Sequence, residues 1–264
     1  MLRATTDPEG VVFLRLARTV AGRPLYRGGA YLLGNVMLDC GPPATAREVV
    51  SWLGNRTVDA LLVTHHHEDH SGGAALLMRE RGLTPYIHAS GVRPLAHGYE
   101  IQLYRRLVWG RPEAVEARPL PPVVDTGGVR LEVVETPGHC PDHVCFYDRS
   151  RGWLFTGDLF LGERQRYLRE DEDLEQTIAS LRTAVALPLE RVFCAHRGPL
   201  RDGPAALRRR LDHLTTVRDQ ARELMAQGLP DAEIARRVVG PEGPLTWISR
   251  GRFSALNFVK SLKR

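Results

Sequence analysis

Short apolar runs recur along the first two thirds of the chain, separated by polar turns rich in Gly, Pro, Asn and Asp. Val11–Ala17, Ala30–Gly34 and Val36–Asp39 have the length and residue types expected of strands. Ala44–Leu53 reads as a helix, with Thr45 near its start and Gly54 just past its end. Asp59–Thr64 is a compact apolar strand that runs straight into a histidine cluster, and Gly72–Arg81 then reads as a helix closed by Gly82. Pro85–Ala89, Val129–Glu135, Val144–Tyr147, Trp153–Thr156 and Arg191–Cys194 read as further strands, with a helix over Leu174–Leu187 between the last two. Strands alternating with helices predict an α/β layered fold.

The last quarter changes character. Pro204–Gln227 reads as one long helix ending at Gly228. Asp231 caps a shorter one, Ala232–Val239, with Glu233 in its first turn, and Ser254–Leu262 is a third. The expected organisation is a main α/β domain over 1–204 and a C-terminal helical appendage over 205–264. Ser90–Leu120, rich in Tyr, Arg and Pro, breaks the rhythm and reads as an insertion over one face.

Composition changes this picture little. The chain has 264 residues, 43% apolar and 25% charged, ordinary values for a globular protein. A chain of this length buries about 70–75% of its unfolded surface, so its core needs no disulfides. The opening MLRATTDPEG carries no apolar stretch behind its charge, so a leader peptide is not expected. No apolar run approaches the roughly 18 residues of a membrane-spanning helix. Cys40, Cys140, Cys145 and Cys194 are scattered, as reduced thiols of a cytoplasmic protein would be.

The net charge of +5 raises nucleic acid as a partner, and its distribution argues against it. Residues 205–264 hold 12 Lys/Arg against 6 Asp/Glu, whereas residues 1–204 hold 24 against 25. Only Lys260 and Lys263 are lysines, aromatic content is 7%, and no stacking stripe is visible. A small-molecule substrate is favoured over nucleic acid, and a homo-oligomer is left open.

The decisive run is Thr64-His65-His66-His67-Glu68-Asp69-His70-Ser71-Gly72-Gly73. On a helix, His65 and His67 would face opposite sides, whereas in a loop at a strand's end they share one. Asp69 and His70 then sit where the next helix begins. Chance assembly of HxHxDH in a chain with ten histidines is well under about one per cent. Thr136-Pro137-Gly138-His139, Phe155-Thr156-Gly157-Asp158 and Ala195-His196 each follow a predicted strand, where loops converge in α/β sheets.

These motifs, in this order and spacing, resemble those of the metallo-β-lactamase-fold hydrolase superfamily over roughly residues 10–200. The resemblance implies a four-layer αββα sandwich with a binuclear metal centre at one edge. It assigns His65, His67 and His139 to one metal, Asp69, His70 and His196 to the second, and Asp158 to a bridge. Asp39, in the Leu38-Asp39-Cys40-Gly41 turn, would position the ligand loop. Such donors suit Zn²⁺, two per chain, and accept Fe or Mn. Paired metals lower the pKa of a shared water, and Asp69 would orient it or take up its proton. β-Lactamases of this superfamily typically lack an Asp at the position of Asp158, which argues against antibiotic hydrolysis. His66 and Glu68 fall at variable positions, facing solvent or supporting the ligands, and His143 is either pocket-lining or structural.

The metal motifs are similar to those of glyoxalase II, but the stretch Leu159–Arg169 lacks that branch's Gly- and Cys-rich turn. Arg164, Arg166 and Tyr167, just beyond Asp158, are expected to hold an anionic substrate. The expected activity is hydrolysis of a small ester, thioester or lactone. The alternatives within the same motifs are a ribonuclease or phosphodiesterase, and a persulfide dioxygenase using a single iron.

Overall fold

In a computed structural model, which describes residues 1–126 and 128–264, two sheets stack face to face between helices. The first has seven strands in the order Leu2–Thr6, Val12–Leu16, Gly28–Leu33, Val36–Leu38, Ala60–Leu62, Pro85–Ile87 and Arg118–Pro119. Its early neighbours pair antiparallel, and from Val36–Leu38 onward the pairing is parallel. The second has six strands, ordered Val123–Thr126, Val129–Glu135, Val144–Asp148, Trp153–Phe155, Arg191–Cys194 and Gly198–Pro199.

Strand periodicity separates the layers. In Val12–Leu16, Phe13 turns toward the other sheet while Leu14 and Leu16 turn toward the helices. Phe13, Tyr31, Leu131, Phe146, Phe155 and Phe193 fill the space between sheets, with Phe155 and Phe193 stacked at 4.5 Å. Tyr31 carries its hydroxyl across that interface to donate to the Cys194 carbonyl at 2.7 Å. Ala46–Leu53, Ala74–Arg81 and Ala89–His97 cover the first sheet, and Leu174–Val185 covers the second. The result is the four-layer αββα sandwich.

The long helix Gly203–Ala226 lies against Leu174–Val185 and contributes Ala206, Leu207, Leu214 and Val217 to the same apolar cluster. Beyond it come Asp231–Val238, Pro244–Ile248 and Leu256–Ser261. The strand Phe253–Ser254, which sequence periodicity does not reveal, pairs antiparallel with Leu168–Arg169. Ser261 Oγ accepts from the Leu174 backbone N–H, fixing the tail to the start of a core helix.

The segment 90–120 forms two helices, Ala89–His97 and Leu103–Trp109, that pass over one end of the sandwich. Leu103–Trp109 is tied down through Arg105, whose guanidinium grips the Glu68 carboxylate at 2.6 and 2.7 Å. Glu68 is fully buried, so its carboxylate depends on that partner. Burial pushes its pKa up, and the Arg105 charge opposes the rise.

Candidate metal centre

Four separate strand ends bring their loops to one point. Ala60–Leu62 delivers His65, His67, Asp69 and His70; Val129–Glu135 delivers His139; Trp153–Phe155 delivers Asp158; Arg191–Cys194 delivers His196. The His65 ring centroid lies 4.5 Å from His67, 4.2 Å from His70 and 5.0 Å from His139. Two ligand sets result, one of His65, His139 and Asp158 with His67 beside them, the other of Asp69, His70 and His196.

Asp158 stands between them with its carboxylate divided. Oδ2 lies 3.3 Å from His139 Nε2, while Oδ1 lies 3.2 Å from His70 Nε2 and 3.0 Å from His196 Nε2. Asp69 Oδ2 is 3.7 Å from both His70 Nε2 and His196 Nε2.

Four of the five histidines have a polar group behind one ring nitrogen. Thr64 Oγ1 is 3.0 Å from His65 Nδ1, Asp39 Oδ2 is 2.7 Å from His70 Nδ1, Glu172 Oε1 is 2.9 Å from His139 Nδ1, and the Arg27 carbonyl is 2.7 Å from His196 Nδ1. One ring nitrogen is thereby engaged and the other is left facing the shared space, as outer partners do for metal-bound imidazoles. Buried His65 Nε2, His70 Nε2 and Asp158 Oδ1 have no aligned hydrogen-bond partner. Orphaned polar atoms are costly in a protein interior, and cations would satisfy all three at once. The donor set therefore fits divalent metal.

Electrostatics agree with this fit. Burial holds His65 and His67 well below the ordinary imidazole range, which keeps them neutral as ligands must be. Burial opposes charge on His196, but Asp158 outweighs it and lifts the group to about 9. His70 is lifted likewise against burial by Asp158, Asp39 and Asp69. In the absence of a cation, protons on these two rings neutralise the buried carboxylates.

The backbone is shaped for the same purpose. Asp39 takes a left-handed conformation, φ 57°, that lets Oδ1 accept from the Thr64 N–H at 2.8 Å. Gly138 has φ 129°, and a Cβ there would lie 2.4 Å from the Thr177 backbone nitrogen, so only glycine fits the turn before His139. His143 is structural: its Nε2 accepts from the Asp158 N–H at 2.9 Å, and burial pushes it down to about 3. His66 is anchored by Asp142, at 2.7 Å, and Cys140 Sγ reaches the His65–His67 group with a thiol that burial keeps protonated.

All seven predicted ligands and Asp39 meet here. The structure brings Arg164, Arg166 and Tyr167 elsewhere: none lines the cavity over the ligands, and Arg166 instead donates to the Pro241 carbonyl. Arg169 takes the inward place. Its Nη1 lies 2.8 Å from His67 Nε2 and 3.3 Å from Nδ1, near-equal distances that set it against the ring face. Sequence reasoning also missed Glu172, because Glu170-Asp171-Glu172-Asp173 looks like a solvated charge run.

Fold and site together define a metal-binding αββα sandwich. The sequence profile of the metallo-beta-lactamase superfamily matches residues 28–196, and the chain belongs to that superfamily. A hydroxyacylglutathione hydrolase of Idiomarina loihiensis is 36% identical over 58% of this chain and 54% of its own length. The thioesterase pkgB of Emericella nidulans is 30% identical over 68% of this chain and 48% of its own. The match thus spans about half the length of these two relatives, and 64% of the lactamase-like protein aptB of Emericella nidulans. A beta-lactamase domain protein from Burkholderia ambifaria shares the fold with a TM-score of 0.74 at 20% identity, covering 98% of this chain and 88% of that one. No helix among the described residues is long and apolar enough to cross a membrane.

Proposed function

We propose that this protein is a metal-dependent hydrolase acting on an ester or thioester, with two zinc ions as the expected cofactor. One would be held by His65, His67 and His139, the other by Asp69, His70 and His196, with Asp158 shared. The carrying observation is the divided Asp158 carboxylate, one oxygen facing each histidine group. When bound, the cations supply Lewis acidity and make water acidic enough to attack near neutral pH. Asp69, 7% exposed and lining the cavity, would orient the attacking water and accept its proton. Thr64, Asp39 and Glu172 lie beside the outer ring nitrogens of His65, His70 and His139 and would steady those rings, so that little reorganisation accompanies the reaction. The thioesterase and hydroxyacylglutathione hydrolase relatives support carbonyl substrates over phosphodiesters.

The test joins elemental analysis of the purified protein to a panel of thioester, ester, lactone, phosphodiester and RNA substrates. Two zinc ions per chain, thioester cleavage abolished by chelator, and loss of metal in Asp158→Asn are the expected results. One iron per chain with oxygen uptake on a persulfide, or cleavage indifferent to chelator, would refute it.

A further inference from the structure

The cavity above the ligand cluster has a chemistry of its own. It encloses about 230 Å³, with His67, Asp69, His139, Asp158 and His196 at its base. Its walls are Tyr26, Val108, Trp109, Leu161, Leu245 and Phe253, drawn from four distant parts of the chain. Tyr26 packs edge-on against both Trp109, at 5.3 Å, and His196, at 5.7 Å, so the apolar wall begins directly at the ligands.

Two arginines reach this space, and neither has charge to spare. Arg105 is clamped by Glu68, and Arg169 is clamped by Asp171 at 2.8 and 2.5 Å. Apart from the histidines at the base, the other charged groups of the lining are the carboxylates Asp69, Asp158 and Glu172. Away from the metal ligands, an anionic substrate group would be desolvated without a free counter-ion among the described residues. A neutral hydrocarbon group would find the apolar wall of Tyr26, Val108, Trp109, Leu161, Leu245 and Phe253.

The apolar character continues outside. Nine large hydrophobic residues of the described chain are exposed, and seven lie on the three segments that form the cavity rim: Leu25 and Tyr26, Leu103 and Leu107, and Leu245, Trp247 and Ile248. Trp247 is 81% exposed and Leu103 71%. Such concentration of apolar surface around one opening marks a binding site. The C-terminal part of the rim is set in register with the centre, because Phe253 pairs directly opposite Arg169.

We infer that this cavity receives the acyl group of a neutral, hydrophobic ester or thioester, extending over the rim, and that Leu245 and Phe253 set its length preference. The inference rests on the hydrolase reading and gives it a substrate class. It replaces the expectation of an anionic substrate at Arg164, Arg166 and Tyr167.

The experiment uses N-acetylcysteamine thioesters from acetyl to decanoyl, with succinyl as the anionic member, and reads kcat/KM. Each added methylene should raise it about two- to fourfold until the cavity is filled. Succinyl should fall at least about tenfold below butyryl, the cost of an unpaired buried charge. Leu245→Asp and Phe253→Ala should each lower the decanoyl-to-acetyl ratio about tenfold, with zinc content unchanged. Binding is measured separately as the rise in Tm produced by decanamide, which should exceed that from decanoate and shrink in both variants. Decanamide binding without cleavage of any thioester here or of any ester in the substrate panel would refute the hydrolase reading and sustain the pocket. Cleavage with a flat or inverted chain-length profile, or a preference for succinyl, would overturn the inference, as would absence of both cleavage and decanamide binding.

Discussion

Replacing Arg105 with Met tests how the insertion is held over the site. The substitution keeps much of the aliphatic bulk and removes the guanidinium that meets Glu68 at 2.6 and 2.7 Å. Glu68 has no exposure of its own, so the variant leaves a carboxylate buried without its counter-charge. Breaking a buried pair in this way costs about 3–5 kcal/mol. For a chain of this size, each kcal/mol moves Tm by about 2–4 °C, so the expected loss is roughly 6–20 °C at pH 8. The penalty has a definite pH sign. Glu68 is already displaced upward by burial, with Arg105 opposing, and removing Arg105 displaces it further. An acid raised in the folded state is penalised as pH climbs above its unfolded value of 4.5, so the variant should lose less at pH 5 than at pH 8. Adding Glu68→Gln should recover a substantial part of the loss, since the charge itself then disappears. Urea unfolding of the four proteins in the cycle, at both pH values, supplies the comparison. A variant within about 1 kcal/mol of the parent at pH 8, or one hurt more at pH 5, would show that the pair does not anchor the helix.

Three further outcomes follow from the site. After chelation, stability should decline as pH rises from about 6.5 to 9, because His196 has its pKa raised to about 9 and loses there the proton that offsets Asp158. That loss approaches about 3 kcal/mol at most, and adding zinc back should flatten the slope of Tm against pH. Asp39→Asn should weaken zinc binding about 10–100-fold in chelator competition while leaving the far-ultraviolet dichroism intact, since Asp39 acts through His70 and Thr64. Gly138→Ala should cost about 1–3 kcal/mol and lower zinc stoichiometry, because its Cβ would strike the Thr177 backbone and shift His139; unchanged Tm and metal content would contradict the crowding.

The convergence of the candidate ligands was legible in the sequence because a strand end turns short spacing into closeness in space. His65, His67, Asp69 and His70 occupy six consecutive positions, and each remaining ligand directly follows its own apolar run. The layer order was legible through the superfamily resemblance rather than through periodicity. What escaped was contact between distant segments whose partners carry no local pattern. Glu68 at a variable motif position gives no hint of Arg105, which is 37 residues away. Arg169 turns toward His67 because Leu168–Arg169 pairs with Phe253–Ser254, a two-residue ladder too short for any alternation to reveal. Arg164 and Arg166 were attractive by proximity in sequence to Asp158, but the chain leads them past the cavity toward Gly203–Ala226 and the Pro241 region.

The pairing of Phe253–Ser254 with Leu168–Arg169 also bears on the order in which a ribosome makes this protein. Every candidate ligand has been synthesised by residue 196, whereas Leu245 and Phe253 emerge later. The residues at the base of the cavity are thus made before this part of its wall. A chain cut short after His196 would lack Leu245 and Phe253, and with them one part of the cavity wall.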